Sequence, residues 1–449
     1  VKMTCGNVSF SIILLQLTSP IKGTDSGIIN SIIKTAVVPP VLLAVAAVLC
    51  YLFIVRGMYA LEDLPVKKIP RWSKICIEVV MVVFFLHTVQ VQGTEIGMWD
   101  YIQSVRESSD FYEKEYVNPA KVKMTFPKEK KNLIYIFMES MESSYADKED
   151  GGTMDDNYIP NLTKLARENV QFTDKKDGKV GGPVCLEATA YTAGGLVAQT
   201  SAINLKVMNS GAVSDSFLPN LTALGDILNK QGYNQMFLCG SDGDFAGRDA
   251  YFKTHKDYQI EDYKAAIKEG DIPKDYKVYW GHEDKVLYER AKKNLKKLSK
   301  EGKPFNLTML TVDTHFPNGY ICDLCENKYD TTYGNAVACA DRQVYDFVQW
   351  IKKQDFYEDT TIIIAGDHTS MVDTGSKFWK SLSNDYQRTV YNAIINPQCA
   401  YKKKVTTKRK FSTMDMFPTT LAALGVEIDG NKLGLGTNLF SGEETLREE

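Results

Sequence analysis

The feature of this sequence that most constrains its fold is an alternation of short apolar runs with amphipathic segments, which begins at Asn132. The apolar runs read LIYIFM, VQFTD, NQMFLCG, FNLTMLTVD and TTIIIAGDH, and segments with helical periodicity such as DKVLYERAKKNLKKLSK lie between them. Strands that alternate with helices of about ten to twenty residues predict an α/β layered fold with a mostly parallel sheet flanked by helices. We therefore predict one such domain over residues 132–449.

Two long apolar segments, at about 32–55 and 75–91, precede this domain. Each is long enough to approach or span the hydrocarbon core of a bilayer. The second contains Glu78 and His87, so a buried hairpin is the alternative for that segment. We predict a membrane region at 1–92 that contains both transmembrane helices, followed by a polar juxtamembrane connector at 93–131.

The loop between the two apolar segments is basic, whereas residues 23–30 contain no Lys or Arg. Its basic residues are Arg56, Lys67, Lys68, Arg71 and Lys74. Because short loops rich in Lys and Arg stay in the cytoplasm, this loop is predicted to be cytoplasmic. The domain at 132–449 is then predicted to face outside the cytoplasm.

Cysteine content agrees with this location, since an even number of cysteines follows the predicted membrane region and permits up to three disulfides. They are Cys185, Cys239, Cys322, Cys325, Cys339 and Cys399. Cys322 and Cys325 in CDLC predict a local disulfide, because no second Cys-x-x-Cys or His pair stands at zinc-ligand spacing. The formal net charge of -3 argues against a strongly basic nucleic-acid-binding protein, and no Walker or dinucleotide glycine loop is found in the sequence.

Several of the apolar runs end in side chains that bind metals or phosphates. Glu139 follows LIYIFM, Cys239-Gly240-Ser241-Asp242 follows QMF, Asp313-Thr314-His315 follows LTMLTV, and Asp367-His368 follows TIIIAG. A single acid would be explained as a cap of the next helix, but ligands collect at the carboxyl ends of parallel strands. Carboxylates with an imidazole suit Mn²⁺, Mg²⁺ or Zn²⁺, which polarise a phosphoryl oxygen. The pattern predicts a metal site at this edge.

A set of longer motifs occurs in the order found in one protein family: IYIFMES, YIPNLTKLARENVQFTD, YTAGGLVAQTSAINL, FAGRDAYFKTH, LTVDTHFP, AGDHTSM and MDMFPTTLAALG. With these motifs the chain resembles the alkaline phosphatase/sulfatase superfamily, in its membrane-anchored phosphoglycerol transferase branch. That branch includes lipoteichoic acid synthases and the phosphoglycerol transferases of periplasmic glucans, and the latter look most similar. The resemblance implies an alkaline phosphatase/sulfatase-like fold on the outer side of a bacterial cytoplasmic membrane.

The resemblance also implies one divalent metal, with Mn²⁺ expected and Mg²⁺ or Zn²⁺ as alternatives. Its ligands would be Glu139, Thr192, Asp367 and His368. Thr192 precedes a small-residue stretch, so its hydroxyl is expected at a helix N-terminus, where phosphate binds; on sequence alone, Thr189 is an alternative. The implied reaction is attack by Thr192 on phosphatidylglycerol, release of diacylglycerol, and transfer of the phosphoglycerol to a glycan or glycerophosphate-polymer hydroxyl.

On the substrate side, the resemblance implies that His315 protonates a leaving oxygen or holds a phosphate oxygen, and that Arg248 contacts the phosphate. Asp242 and Asp313 are predicted to contact glycerol hydroxyls, and a structural turn is the alternative for each. Glu142 is interpreted as an acid in the first turn of a helix rather than as a second metal ligand.

Some positions depart from the related groups. Lipoteichoic acid synthases carry a His and a Trp where this chain, aligned on Arg248, has Cys239 and Ala246, so the glycerol pocket differs from theirs. No Cys/Ser-x-Pro-x-Arg motif is found, which disfavours sulfate-ester hydrolysis. A phosphoethanolamine transferase and a phosphodiesterase are the alternative enzymes, although the former carries Gly-Glu-Thr-Ala-Arg where this chain has MESMESSY. A catalytically inactive, membrane-tethered binding module is the alternative outside enzymes.

Overall fold

The computed structural model describes residues 71–106, 109–176, 178–205, 216–256, 258–383 and 385–449, together with a few residues between 10 and 52. The chain divides into two units. In the described part of the chain, the first unit ends at Arg106 and the second begins at Ser109. In the first unit, helix α1 spans Arg71–Glu95 and helix α2 spans Met98–Arg106.

The predicted span at 75–91 lies within α1, and the predicted span at 32–55 is described only in part, chiefly over residues 41–49. Within the part of the chain that the structure describes, no helix combines the length and the apolar character needed to cross a membrane.

The second unit contains the predicted α/β fold. Its strands are β1 Met124–Thr125, β2 Asn132–Met138, β3 Asn234–Cys239, β4 Gln259–Glu261, β5 Phe305–Leu310, β6 Thr360–Gly366, β7 Asn392–Ile395, β8 Glu427–Ile428, β9 Lys432–Leu433 and β10 Gly436–Thr437. Its helices are α3 Phe111–Glu115, α4 Pro160–Glu168, α5 Thr192–Ser201, α6 Leu224–Lys230, α7 Arg248–Thr254, α8 Tyr263–Lys268, α9 Asp284–Leu298, α10 Thr332–Ile351 and α11 Met416–Ala423. Short 3-10 turns occur at Ser143–Tyr145, Phe245–Gly247, Tyr357–Asp359, Lys377–Trp379, Lys403–Thr406, Thr413–Asp415, Asp429–Asn431 and Leu439–Ser441.

Six strands form the central sheet in the order β4-β3-β5-β2-β6-β7. Neighbouring strands are parallel, except that the edge strand β7 runs antiparallel to β6. In β2, residues 133–138 are all fully buried, as expected for a central parallel strand covered on both faces. The prediction of a mostly parallel sheet flanked by helices is confirmed.

The two faces of the sheet are covered by different helices. Ile134, Ile136 and Met138 of β2 belong to a core cluster with residues of α4, α9 and α10. On the other face, the rings of Tyr135 and Phe137 stack with centroids 4.2 Å apart, and the Tyr135 hydroxyl donates to Gln199 Oε1 of α5 at 2.9 Å. Since alternate side chains of a strand point to opposite faces, β2 supports both layers of helices.

Other segments depart from the predicted strands. VQFTD forms no strand, because Val170 makes an isolated bridge with Ile394 while the Phe172 N–H donates to the side chain of Asn392. The short strands β4 and β7 were not predicted. Residues 109–131, part of the predicted connector, belong to the second unit, and β1 within them pairs with β8.

Candidate active site

The register of the central strands brings two of the predicted ligands together. Met138 of β2 lies opposite Gly366 of β6, so Glu139 and Asp367 leave the sheet at the same level of its carboxyl edge. Strand β5 is parallel to β2 and pairs with it, and β3 is parallel to β5 and pairs with it. The loops that carry Asp242, Asp313 and His315 therefore start from the same edge. The strand ends therefore converge as the sequence predicted.

Glu139, Asp367 and His368 form a buried cluster in which one ligand atom from each residue lies within 4.8 Å of the others. His368 Nε2 lies 3.3 Å from Glu139 Oε1 and 3.5 Å from Asp367 Oδ2. The other ring nitrogen, His368 Nδ1, donates to the backbone carbonyl of Thr369 at 2.9 Å. This hydrogen bond orients the imidazole so that Nε2 faces the carboxylates, as in many metal-binding histidines.

The ionisation of the cluster is strongly perturbed. Burial raises the pKa of Asp367 to about 8, and the Glu139 carboxylate adds to the increase. Burial opposes the charged form of His368, but Asp367 and Glu139 outweigh it and raise its pKa to about 10. Burial likewise opposes ionisation of Glu139, yet His368 and His315 lower its pKa to about 2. Two carboxylates in one buried site thus require positive charge beside them.

The cluster fits a divalent cation. Asp367 Oδ1 accepts hydrogen bonds from the backbone N–H groups of Ser140 at 2.8 Å and His368 at 2.7 Å. Asp367 Oδ2 is buried and, among the described residues, has no hydrogen-bond donor, although His368 Nε2 is nearby. Two carboxylates, an imidazole and a hydroxyl are a suitable donor set for Mn²⁺, Mg²⁺ or Zn²⁺. Asp367 Oδ2 is therefore the carboxylate oxygen that remains available to bind a cation.

Thr192 is the first residue of α5, and its hydroxyl enters the same cluster. Thr192 Oγ1 lies 3.2 Å from Glu139 Oε2 and 3.3 Å from His368 Nε2. The first N–H groups of a helix lack intrahelical partners, so this position favours an anion near the hydroxyl. Thr189, the alternative, is fully buried and hydrogen-bonds with Leu186 and Thr413 instead. Of the two threonines, only Thr192 therefore places its hydroxyl in the cluster.

His315 lies in an aromatic enclosure beside this cluster. Its ring centroid is 4.7 Å from that of Trp280 and 4.8 Å from that of Phe316, and its Nδ1 donates to the Phe316 carbonyl at 2.8 Å. The Tyr279 hydroxyl donates to the His315 carbonyl at 2.6 Å. Burial lowers the pKa of His315, with Glu139 opposing the change. Because Nδ1 is engaged by the Phe316 carbonyl, Nε2 is the ring nitrogen of His315 that is left for another partner.

Arg248 begins helix α7 and is buried except for 6% of its surface. Its Nη2 donates to Ser241 Oγ at 3.0 Å and to the Asp242 carbonyl at 2.8 Å, while Nε donates to the Phe245 carbonyl at 3.0 Å. The guanidinium is thus held by its own loop, and no described residue accepts from Nη1. A rigid, buried guanidinium with one free edge is suited to contact a phosphate.

The two aspartates predicted to contact glycerol have different environments. The Asp242 carboxylate pairs with Lys264 Nζ at 2.8 Å and accepts the Asp244 N–H at 3.1 Å, the pattern of a turn residue. Asp313 is 2% exposed, and neither of its carboxylate oxygens has a hydrogen-bond partner among the described residues. Burial and the neighbouring Asp284 raise the pKa of Asp313 well above its usual range. Of the two side chains, only that of Asp313 is free to form a hydrogen bond with a substrate.

The interpretation of Glu142 as a first-turn helix acid is wrong. Its side chain is fully buried, and it makes no cap to the 3-10 turn at Ser143–Tyr145. Instead, Arg388 Nε donates to Glu142 Oε2 at 3.0 Å, Arg388 Nη2 contacts Oε1, and the Ser370 N–H donates to Oε1 at 2.8 Å. Glu142 therefore anchors the segment that follows His368, and it lies outside the metal cluster.

Other residues that build the site carry no motif. Asp284 accepts the N–H groups of Val312 at 2.8 Å and Asp313 at 3.1 Å, and so holds the loop of His315. Thr311 Oγ1 accepts the Glu139 N–H at 2.9 Å. Trp280 is buried with an indole N–H that has no partner among the described residues. Their roles depend on distant segments meeting in space, a signal that a single sequence does not contain.

The fold and the site together define an enzyme of the alkaline phosphatase-like α/β class. Residues 131–426 match the family described as Sulfatase, which is more than half of the chain, so the chain belongs to this family.

Among curated proteins, the chain is similar to "Phosphoglycerol transferase I" of Salmonella choleraesuis (strain SC-B67), with 33% identity over 340 residues, covering 73% of this chain and 41% of that protein. The chain thus spans about two fifths of the length of the curated relatives it matches.

Among solved structures, a protein in the alkaline phosphatase superfamily from Vibrio parahaemolyticus is similar with a TM-score of 0.53 and 21% identity, covering 73% of this chain and 75% of the other. The lipoteichoic acid synthase LtaP from Listeria monocytogenes has a TM-score of 0.53 and 18% identity, covering 71% of this chain and 79% of the other. At these identities the two structures establish the fold alone.

Proposed function

We propose that this chain transfers phosphoglycerol from phosphatidylglycerol to a hydroxyl of a glycan or of a glycerophosphate polymer. The reaction passes through a glycerophosphoryl group on Thr192 and releases diacylglycerol. The observation that carries the proposal is the position of Thr192 Oγ1, at a helix N-terminus and 3.2 Å from Glu139 Oε2. The similarity to phosphoglycerol transferase I supports the choice of the transferred group.

Glu139, Asp367, His368 and Thr192 are the residues that would hold the metal, and we propose Mn²⁺, with Mg²⁺ or Zn²⁺ as alternatives. When bound, such an ion polarises phosphoryl oxygens and favours the deprotonated form of a nearby hydroxyl. The remaining chemistry belongs to the side chains. The Thr192 hydroxyl donates to the Glu139 carboxylate, and this hydrogen bond orients Oγ1 toward the cluster.

Two in-line displacements at phosphorus follow. In the first, deprotonated Thr192 Oγ1 forms a bond to phosphorus while the bond to the diacylglycerol oxygen breaks, and protonated His315 supplies a proton to that oxygen and becomes neutral. In the second, neutral His315 takes the proton of the acceptor hydroxyl, which attacks phosphorus while the bond to Thr192 Oγ1 breaks. Thr192 leaves deprotonated and His315 is again protonated, so both are ready for the next donor. The lowered pKa of His315 favours the base form that the second step requires. The result is a ping-pong reaction.

Arg248 and Asp313 are proposed to position the donor. Arg248 Nη1 contacts a non-bridging phosphate oxygen, since Nε and Nη2 are held by Phe245, Ser241 and Asp242. Asp313 contacts a glycerol hydroxyl, because its carboxylate is buried without a partner among the described residues. Asp242 is a weaker candidate for the same contact, because its carboxylate already forms an ion pair with Lys264.

We further propose that the first unit holds the enzyme at a bacterial cytoplasmic membrane, with the catalytic unit outside the cytoplasm. In α1, the apolar side chains of Val83, Phe84 and Phe85 are 59%, 71% and 65% exposed. Contiguous exposed apolar side chains mark a surface that contacts lipid or protein. Location at a bilayer would raise the effective concentration of a lipid donor at the site.

The test is a single-turnover incubation of the detergent-solubilised full chain with Mn²⁺ and headgroup-labelled phosphatidylglycerol, followed by mass spectrometry of the peptide that contains Thr189 and Thr192. The expected product is a glycerophosphoryl adduct on Thr192 that is absent in Thr192→Ala. Thr189→Ser is the matched control, because it changes the neighbouring threonine and should retain the adduct.

The other functions give different results in the same experiment. An ethanolamine-phosphate adduct from phosphatidylethanolamine, with none from phosphatidylglycerol, would indicate the phosphoethanolamine transferase. Rapid loss of the adduct to water in the presence of glycan acceptors would indicate the phosphodiesterase. No adduct from either lipid, in protein that holds its metal, would indicate the inactive binding module and contradict the proposal.

A further inference from the structure

Three cysteines lie close together outside the candidate active site. Cys322 Sγ is 3.6 Å from Cys325 Sγ and 4.0 Å from Cys339 Sγ, and all three sulfur atoms lie within 4.8 Å of one another. Cys322 and Cys325 belong to the loop after β5, whereas Cys339 lies on helix α10. The fold therefore adds a third thiol to the CDLC motif from a distant part of the sequence.

The distances between the sulfur atoms distinguish a metal site from a disulfide. A disulfide requires an S–S distance of about 2.05 Å. Thiolates that surround Zn²⁺ tetrahedrally, with Zn–S of about 2.3 Å, lie about 3.8 Å from each other. The observed 3.6 and 4.0 Å match the second arrangement. The disulfide predicted for Cys322 and Cys325 is thus not present, and all the described cysteines are free thiols.

Hydrogen-bond donors surround the thiols in a way that stabilises thiolates. The backbone N–H groups of Leu324 and Cys325 face the Cys322 sulfur. Gln343 follows Cys339 by one helical turn, and its Nε2 donates to Cys339 Sγ at 3.5 Å. Hydrogen bonds of this kind to ligand atoms typically accompany bound metals, because they spread the negative charge of the thiolates.

We propose that Cys322, Cys325 and Cys339 form a second metal site, which binds a divalent ion that prefers thiolates, namely Zn²⁺. Thiolate ligands select Zn²⁺ over Mg²⁺, Ca²⁺ and Mn²⁺, so this site would not compete for the ion of the active site. The side chain of Cys325 is partly exposed, which leaves a path for the ion. This proposal is independent of the reaction at Thr192.

The fourth ligand position has one protein candidate. Gln343 Oε1 is buried and has no hydrogen-bond partner among the described residues. Rotation of the amide by half a turn would exchange Oε1 with Nε2, which lies 3.5 Å from Cys339 Sγ and 4.0 Å from Cys322 Sγ. Gln343 can therefore supply an oxygen to complete a tetrahedron, or continue to donate to the sulfurs while water completes it.

The site would tie the loop of His315 to helix α10. Within this loop, the Gly319 N–H donates to the His315 carbonyl at 3.0 Å, and the Tyr320 N–H donates to the Asp313 carbonyl at 2.7 Å. Cys322 follows two residues after Tyr320. A metal bound to Cys322 and Cys339 would thus restrain the backbone that positions His315, without contacting the substrate.

The test uses the full chain, purified with a reductant and loaded with Co²⁺ in place of Zn²⁺. Thiolate ligands give Co²⁺ an intense charge-transfer absorption that oxygen and nitrogen ligands do not give. Because no cysteine belongs to the Glu139 cluster, this absorption reports on the cysteine site alone. We expect it in the wild type and in Glu139→Gln, which alters the active-site metal, and in Cys399→Ser, a matched cysteine control.

Loss of the absorption in Cys339→Ala, with one fewer Zn²⁺ per chain by elemental analysis, would support the site. If Cys339→Ala fails to fold, the decision rests on Zn²⁺-loaded Glu139→Gln, whose X-ray absorption should show sulfur neighbours at about 2.3 Å. The proposal is overturned by a wild type without the charge-transfer absorption. A disulfide between any two of the three cysteines, in protein isolated without reductant, would also overturn the proposal. So would folded Cys339→Ala that retains the charge-transfer absorption.

Discussion

Gly195 lies directly against the backbone of Asp367, so that a Cβ on Gly195 would be 2.1 Å from the Asp367 carbonyl oxygen. This contact places the first turn of α5, with Thr192, beside the end of β6, with its metal-ligand candidates. Gly194 has a similar constraint, since its Cβ would lie 2.5 Å from the Ala188 carbonyl oxygen. The small residues after Thr192 therefore set the distance between the proposed nucleophile and the candidate metal ligands.

Gly195→Ala is expected to separate Thr192 from the cluster. The added methyl group must displace backbone on one side, and a shift of about 1 Å at a catalytic group costs on the order of 10²-fold in rate. The measurement is kcat/KM of phosphoglycerol transfer, with circular dichroism to establish folding. Gly375→Ala is the matched control, because its Cβ would make ordinary contacts at 3.5 Å or more. Equal activity of the two variants would contradict the prediction.

Metal binding is expected to strengthen as pH rises. Without metal, the pKa of Asp367 is about 8 and that of His368 is about 10, so below pH 8 both groups hold a proton that metal must displace. The logarithm of the association constant for Mn²⁺ should rise by up to about two for each pH unit below that pH, and by about one between the two pKa values. Isothermal titration calorimetry in buffers of different ionisation enthalpy counts the released protons.

Asp367→Asn separates the two contributions to this pH dependence. The amide oxygen can replace Oδ1 as the acceptor of the Ser140 and His368 N–H groups, so the loop should keep its conformation. The substitution replaces only Oδ2, the oxygen that has no hydrogen-bond donor among the described residues. We expect weaker Mn²⁺ binding and one fewer proton released for each metal bound. An affinity that does not change with pH in the wild type would exclude this assignment of protons.

Much of the fold follows from local pattern. The continuous apolar run of β2 predicts a buried parallel strand, and the position of Glu139 directly after it predicts a ligand at the carboxyl edge. The site is predictable in part, because Glu139 and the pair Asp367-His368 each follow an apolar run. That these two strands are neighbours is seen only in the structure, and the ligand role of Thr192 is implied by the family resemblance rather than by local pattern.

The residues that could not be predicted act through contacts distant in sequence. Arg388 pairs with Glu142 across 246 positions, and Cys339 reaches Cys322 only because α10 packs beside the loop after β5. Glu142 resembles a helix-capping acid until its partner is known. Likewise, the CDLC motif resembles a disulfide until the third thiol is placed. Spacing along the chain does not encode such pairs.

Arg388→Ala is expected to destabilise the catalytic unit by about 3–5 kcal/mol, because it leaves the Glu142 carboxylate buried without its counter-charge. Lys148→Ala is the matched control: it breaks an ion pair with Asp155 whose side chains are 62% and 52% exposed, and should cost less than about 1 kcal/mol. The measurement is the free energy of unfolding in urea. A double variant with Glu142→Gln should recover part of the loss, and equal losses for the two single variants would contradict the argument.

Arg248→Lys is expected to lower kcat/KM by on the order of 10²-fold while leaving metal affinity unchanged, because the contact proposed for Arg248 is with phosphate and not with the ion. Lysine keeps the charge but has a single nitrogen. The guanidinium donates from Nη2 to Ser241 and the Asp242 carbonyl and still has Nη1 for the substrate, an arrangement that lysine cannot reproduce. The same substitution at Arg167, whose side chain is 43% exposed, controls for the general effect of exchanging arginine for lysine. Steady-state kinetics with phosphatidylglycerol, together with Mn²⁺ titration of both variants, provide the measurement. If Arg248→Lys weakened Mn²⁺ binding as much as it slowed transfer, the residue would act on the metal cluster rather than on the phosphate.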